Sequence, residues 1–283
     1  MTIVVHTIDE LVNARLEFNR EEKSIGFVAT MGALHAGHLS LLDAASSTHD
    51  EVIISIFVNP LQFGSAHDLS RYPRQLEKDI ALATRAGATL VFAPSESQMF
   101  PAGQPIITVD PGALGSLLEG SSRPRHMSGV ATIVTKLLSL TRADHAYFGE
   151  KDFEQLTLIR RLVTDLGLGV GIVGMPIIRE ADGLALSSRN TRLSDEERRR
   201  ATVLYRALEA GGEAVRAGCV SLVELEGVMS KVVGTEPEVV LNYATAREEE
   251  SFSLPESLDG KLRLLIAAHV GPVRLIDNLA VKR

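Results

Sequence analysis

Gly26-Phe27-Val28-Ala29-Thr30-Met31-Gly32-Ala33-Leu34-His35-Ala36-Gly37-His38 is a short apolar run, then a glycine-punctuated turn, then the start of an amphipathic stretch. Residues 26–30 read as a strand and 38–46 as the helix that follows it. Gly32 lets the backbone turn sharply, and Gly37 lets a ligand approach the helix. In parallel α/β sheets ligands settle at the carboxyl ends of strands, which is where this turn falls.

Outward from that unit the pattern repeats. Strands are predicted at 52–58, 89–93, 145–148 and 170–178, and helices at 72–86, 129–140 and 153–166. Short connections force right-handed crossovers, so the fold class is α/β, a Rossmann-like doubly wound parallel sheet. Residues 104–110 read as a small extra strand, and 120–126 as a loop rich in Ser, Arg and Pro. After Arg189 the texture changes to helices at 195–218 and 221–234 and strands at 238–246 and 261–268, with a polar insert at 247–253. That predicts a second, smaller α+β C-terminal domain, with residues 1–187 in the first domain and 188–283 in the second.

Composition narrows the function. With 283 residues, 45% hydrophobic and 23% charged, the chain has the makings of a substantial globular core. A formal net charge of −7 argues against a nucleic-acid partner, because phosphate-backbone binding needs concentrated Lys and Arg. The densest basic run, Arg198-Arg199-Arg200, sits beside Asp195, Glu196 and Glu197 and reads as a solvated helix face. Cys219 is the only cysteine, which excludes an intramolecular disulfide and a cysteine-rich metal site and fits a reducing cytoplasm. Residues 1–10 carry acid and lack the apolar run of a secretory leader, and no stretch of 18 apolar residues occurs. A cytoplasmic protein without a membrane span is expected.

Four constellations carry chemistry. His35 and His38 are three apart and share one face of the first helical turn, beside unpaired backbone N–H groups, which makes a phosphate-sized anion site. The same pair suits zinc, although no third ligand stands out nearby, or plain polar loop residues. Pro60 stops the second strand, so Gln62 emerges at the same sheet edge, where its amide can donate and accept to a ligand bearing hydroxyl and carboxylate; a loop amide bonding backbone reads the same way. In Phe148-Gly149-Glu150-Lys151-Asp152-Phe153-Glu154-Gln155, Gly149 permits close approach and Lys151 supplies a mobile positive charge. Asp152 is placed for ribose hydroxyls or as a helix cap, and Gln155 lies one turn on. In Asp182-Gly183-Leu184-Ala185-Leu186-Ser187-Ser188-Arg189-Asn190, two hydroxyls followed by Arg form a clamp for phosphate oxygens, or a polar linker.

Taken together and in this order, these segments resemble the pantothenate synthetase (pantoate–β-alanine ligase) family, within the nucleotidylyltransferase-like superfamily marked by the His-x-x-His pair. The resemblance runs from Gly26 to Leu279 and includes His126-Met127-Ser128-Gly129-Val130-Ala131-Thr132 and Arg274-Leu275-Ile276-Asp277-Asn278. It implies an enzyme that turns ATP and pantoate into pantoyl adenylate and pyrophosphate, then lets β-alanine attack to give pantothenate and AMP, with Mg²⁺ required. It also implies a homodimer. By resemblance, Met31, Gly32, Ala33, Leu34, His35, Ala36, Gly37 and His38 line the ATP site, with His38 as proton donor and His35 beside it on the phosphates. Gln62 and Gln155 hold pantoate, and Gln62 also lies near β-alanine. Gly149, Glu150, Lys151 and Asp152 bind ribose and phosphate, Ile178 contacts adenine, and Leu186, Ser187, Ser188 and Arg189 close on the triphosphate.

The chain departs from the family pattern at Ala29, at Arg125 and Met127 around His126, at Phe153-Glu154 and at Asn242. Arg125 in place of Gly is expected to cost about 1 kcal/mol where φ is positive. The rival enzyme reading is a nucleotidylyltransferase that releases its nucleotidylated product. A non-catalytic nucleotide sensor is the rival from outside catalysis.

Overall fold

The computed structural model describes residues 2–64 and 66–283; Met1 and Ser65, which fall in the expected first domain, lie outside the described residues. The backbone forms two compact units, one of Met1–Glu150 with Glu154–Pro176 and one of Lys151–Phe153 with Ile177–Arg283. Within the second unit a bidentate pair from Arg179 to Asp277 ties the residues after Pro176 to the end of the chain.

In the first unit, β1 (Ile3–Val5), β2 (Ile25–Thr30), β3 (Glu51–Ile56), β4 (Leu90–Phe92), β5 (His145–Gly149) and β6 (Gly171–Met175) make one six-stranded sheet in the order β1-β4-β3-β2-β5-β6. Every pairing is parallel. The helices are α1 (Ile8–Arg20), α2 (Ala36–Ser46), α3 (Ala66–Ser70), α4 (Leu76–Arg85), α5 (Glu96–Met99), α6 (Leu118–Ser122), α7 (His126–Thr141) and α8 (Phe153–Leu166). The central strands are apolar on both sides, as a sheet covered on both faces requires. Val28, Val52, Ile54 and Val91 pack with Leu41 and Leu42 of α2 and Ala83 of α4. The alternate residues Phe27, Ile53 and Leu90 point to the opposite face and are equally buried. Strand order reverses at β2: β3 and β4 step away on one side, β5 and β6 on the other. The carboxyl ends of β2 and β5 therefore border the crevice where doubly wound sheets take ligands.

The second unit carries α9 (Asp195–Ala201), α10 (Val203–Arg216) and α11 (Leu222–Val233) with an antiparallel meander of β7 (Val239–Glu248), β8 (Lys261–Val270) and β9 (Val273–Lys282). Leu204 and Leu208 of α10 and Leu225 and Met229 of α11 bury against Leu264 and Ile266 of β8. Asn242 sits at a register shift between Leu241 and Tyr243, where its Oδ1 accepts from Arg274 Nε at 3.1 Å.

Several expectations need correction. Residues 104–110 form no strand: Pro105 lacks an amide donor, and Ile106 and Ile107 are 100% and 87% exposed instead of facing a neighbour. The loop expected at 120–126 is partly helix α6, and α7 starts at His126 rather than Gly129. The single helix expected at 195–218 breaks at Thr202, whose hydroxyl donates to the Arg199 carbonyl. The sequence reading left β1, α1, α3, α5 and β9 unassigned; β1 pairs with β4 and β9 with β8. Among the described residues no helix is long and apolar enough to cross a membrane.

Candidate active site

His35 is the N-cap of α2, in extended conformation, and its Nδ1 accepts from the Gly37 amide at 3.2 Å. His38, three residues on, accepts the His35 amide at its own Nδ1 at 3.4 Å, closing a reciprocal capping box in which two imidazoles replace the usual Ser and Glu. A ring nitrogen that accepts carries no proton, so each neutral ring bears its proton on Nε2 and is a donor there. The rings lie 4.1 Å apart, centroid to centroid, with planes tilted by 31°. The helix start thus presents two N–H donors whose tautomers are set by the cap itself.

The turn before His35 is held from beneath. Gly32 and Ala33 have φ of 81° and 52°, which aims the amides of Ala33 and Leu34 at the Asp79 carboxylate, one to each oxygen at 2.9 Å. A Cβ on Gly32 would stand 2.9 Å from Asp79 Oδ2 and 3.2 Å from the Ile56 side chain, so glycine is needed for space as well as for φ. Thr30 closes the other side, accepting from the Gly32 amide and donating to the Ser55 carbonyl. Asp79 is only 1% exposed. Bonds from amides to a carboxylate are each worth about 1.5–3 kcal/mol. Asp79→Ala is therefore expected to lower stability by about 3 kcal/mol in urea denaturation; a loss below about 0.5 kcal/mol would show that the turn holds itself.

After β3, Asn59 organises the next loop. Its Oδ1 accepts from the Leu61 amide, and its Nδ2 donates to the Gly129 carbonyl and to Gln62 Oε1 at 3.0 Å. With its carbonyl oxygen so held, the Gln62 carboxamide turns its nitrogen toward Met31, whose Sδ lies at 2.8 Å. His126 Nδ1 reaches the Gln62 carbonyl at 2.8 Å. Gly129 of α7 allows this approach, since a Cβ there would fall 2.4 Å from the Leu61 carbonyl oxygen. Arg125 precedes the helix with φ of 71°, the left-handed conformation in which a side chain costs about 1 kcal/mol relative to Gly. Gly149 and Glu150 leave the carboxyl end of β5, and Gln155 stands in the first turn of α8, all half-buried. The structure thus joins Met31, His35, His38 and Gln62 at one edge of the sheet, with Gly149 at the end of an adjacent strand.

The second unit holds the remaining expected residues. The Lys151 side chain is 19% exposed, with its Nζ 4.0 Å from Asp152 Oδ1. Ile178 and Leu186 belong to a narrow turn: Arg179 bridges Ala185, and the Leu186 amide donates to the Ile178 carbonyl at 2.9 Å. Ser187 caps the short helical turn Ser188–Arg192 by accepting from the Arg189 amide at 3.3 Å. The 182–190 segment is therefore a folded hairpin and turn, built to hold Ser187, Ser188 and Arg189 in sequence. Among the described residues no three His, Cys, Asp or Glu side chains gather as a metal cage.

Asp79 and Asn59 are the residues that sequence reading missed. Each fixes a candidate site loop through backbone groups, and a single carboxylate on an amphipathic helix gives no local sign of that duty. The Asn-Pro pair that ends β3 did carry a signal for Asn59, an Asx turn.

The chain matches the family model described as pantoate-beta-alanine ligase over residues 3–280. It is 47% identical to a pantothenate synthetase of Salinispora arenicola over 282 residues, covering 100% of this chain and 98% of that relative. It superposes on a solved pantothenate synthetase from Thermus thermophilus with a TM-score of 0.92 at 43% identity, covering 100% of both chains. A Francisella tularensis pantoate-beta-alanine ligase, solved in complex with beta-gamma ATP and beta-alanine, matches with a TM-score of 0.81 at 35% identity, covering 99% of this chain and 97% of that one.

Proposed function

Because the chain belongs to the pantoate-beta-alanine ligase family, we propose that it condenses pantoate with β-alanine at the expense of ATP, through pantoyl adenylate. The observation that carries this reading is the mutual capping of His35 and His38, which fixes two Nε2 donors at the carboxyl edge of the sheet. A free carboxylate is a poor electrophile. In the first step a pantoate carboxylate oxygen bonds to the α-phosphorus of ATP while the bond from that phosphorus to the bridging oxygen breaks, releasing pyrophosphate. In the second, the β-alanine amine attacks the acyl carbon, the bond to the AMP oxygen breaks, and the amine gives up a proton. Neither step needs a covalent bond to the protein; positioning and charge stabilisation suffice.

Roles follow from the residues. His38 donates its Nε2 proton to charge growing on the phosphoryl oxygens, with His35 beside it. Met31, Gly32, Ala33, Leu34, Ala36 and Gly37 complete the first stretch of the ATP site, and Gly149, Glu150, Lys151 and Asp152 supply ribose and phosphate contacts. Ile178 meets adenine, and Leu186, Ser187, Ser188 and Arg189 take the triphosphate. Lys151 and Arg189 offset its charge. Gln62, its carbonyl occupied by Asn59, offers its amide nitrogen to pantoate and lies near β-alanine, and Gln155 holds pantoate from α8. Mg²⁺ carried on ATP would be held mainly by phosphate oxygens and water and would offset phosphate charge there. The family resemblance supports a homodimer, and the lone Cys219 supports a reducing cytoplasm.

Pantoate alone is expected to support exchange of labelled pyrophosphate into ATP, since the proposed phosphate contacts need no amine. Exchange that begins only when β-alanine is added would overturn the two-step scheme. A nucleotidylyltransferase would retain AMP in its product, so one AMP released per amide formed decides against it.

A further inference from the structure

The segment Arg274-Leu275-Ile276-Asp277-Asn278, part of the family resemblance, has no place in the chemistry above. In the fold it is the middle of β9, and its last two residues are almost fully buried, Asp277 at 4% and Asn278 at 1% exposure. The Asn278 side chain has one possible orientation. Its Oδ1 lies 3.0 Å from Arg263 Nη1, and a guanidinium has only donors, so the oxygen must face it. The amide nitrogen is thereby turned to the backbone carbonyl of Lys151, to which it donates at 2.9 Å.

Arg263 is itself fixed. It donates to Glu249 Oε1 at 2.6 Å and stacks on the Phe153 ring at 4.0 Å. The three-residue segment Lys151–Phe153 is thus gripped twice, by Asn278 at its first carbonyl and by Arg263 at its last ring. Asp277, next along the strand, takes the bidentate pair from Arg179 at 2.6 and 3.0 Å, and the Asn278 carbonyl accepts from the same guanidinium at 3.2 Å. Arg179 also lies 3.9 Å over the Tyr205 ring. A bond to a main-chain carbonyl, unlike one to the ammonium, leaves the Lys151 side chain available to a ligand while removing freedom from the backbone that presents it.

We propose that Asn278, oriented by Arg263, is a positioning residue for Lys151: its amide holds the Lys151 carbonyl and so sets where the ammonium meets the nucleotide phosphates. The inference rests on the ATP-binding part of the reading above. Misplacement of a reacting group by about 1 Å costs on the order of 10²-fold in rate.

The test is a double-mutant cycle between Asn278→Asp and Lys151→Ala in the full-length protein. Asn278→Asp keeps an acceptor for Arg263 and turns the donor facing Lys151 into an acceptor. Asn278→Ser, short and uncharged, is run alongside, and the same pattern is expected. Two quantities are read: Mg²⁺–ATP affinity by calorimetry and the rate of pantoate-dependent pyrophosphate exchange. In the Lys151 protein, Asn278→Asp is expected to weaken ATP about tenfold and slow exchange about 10–100-fold, with the KM for pantoate within twofold. With Ala at 151, the same change is expected to alter either quantity less than twofold. Equal losses in both backgrounds, or wild-type values for both Asn278 variants, would overturn the proposal. If wild-type protein shows no pantoate-dependent exchange, the reading of the acid substrate fails, while the ATP-affinity cycle still decides for or against Asn278.

Discussion

Lys151→Ala is expected to lower the rate of pantoate-dependent pyrophosphate exchange by about 10²–10⁴-fold, as removal of a positioned charge from a developing anion does. The side chain is mostly shielded from solvent, and its close acidic neighbour, Asp152, stands at the limit of ion-pair distance. The buried Asp277 carboxylate also acts on the ammonium, but it is already taken by the Arg179 guanidinium. Charge on the oxygens around the α-phosphorus and the departing pyrophosphate grows between ground and transition state, so kcat and the kcat/KM for pantoate should fall together, with little rise in the KM for pantoate. Lys151→Met keeps most of the apolar stem and separates charge from packing; it should lose as much activity as the Ala variant. Turnover within threefold of wild type in either would remove Lys151 from the chemistry.

Periodicity made the parallel sheet legible because its strands are buried on both faces and punctuated by turns at their carboxyl ends. The turn from Thr30 to His38 was readable for the same reason: glycines and histidines there leave marks in the sequence that a packed face does not. The 104–110 segment misled because its β-branched residues suggest a strand, yet a strand needs a partner; Pro105 lacks a donor, Ile106 and Ile107 are exposed, and the stretch joins neither sheet. α1 was overlooked although Thr7 and Glu10 form a capping box that sequence alone displays. Asp79 was illegible in principle: its spacing on an amphipathic helix fits a solvated carboxylate, and only the sheet brings it under the amides of Ala33 and Leu34. The Arg179–Asp277 pair is similar, since its two members stand 98 positions apart in sequence. Local chemistry announces itself; the groups that hold it in place are contributed from a distance.

His38→Ala should also cost about 10²–10⁴-fold in rate, but His38 has two duties and the substitution removes both. Its Nδ1 caps the His35 amide and its Nε2 carries the proton offered to the phosphates. Loss of a helix cap typically lowers stability by about 1 kcal/mol. His38→Asn separates the duties, since the Asn oxygen sits near the place of Nδ1 and can accept the same amide while nothing reaches the place of Nε2. That variant is expected to keep urea stability within about 0.5 kcal/mol of wild type and still lose activity as far as Ala does. His38→Gln reverses the arrangement: its amide nitrogen extends toward the place of Nε2, so part of the rate should return while the cap is lost. If Asn rather than Gln retains activity, His38 serves the helix and not the phosphates, and the proton donor must be sought in His35.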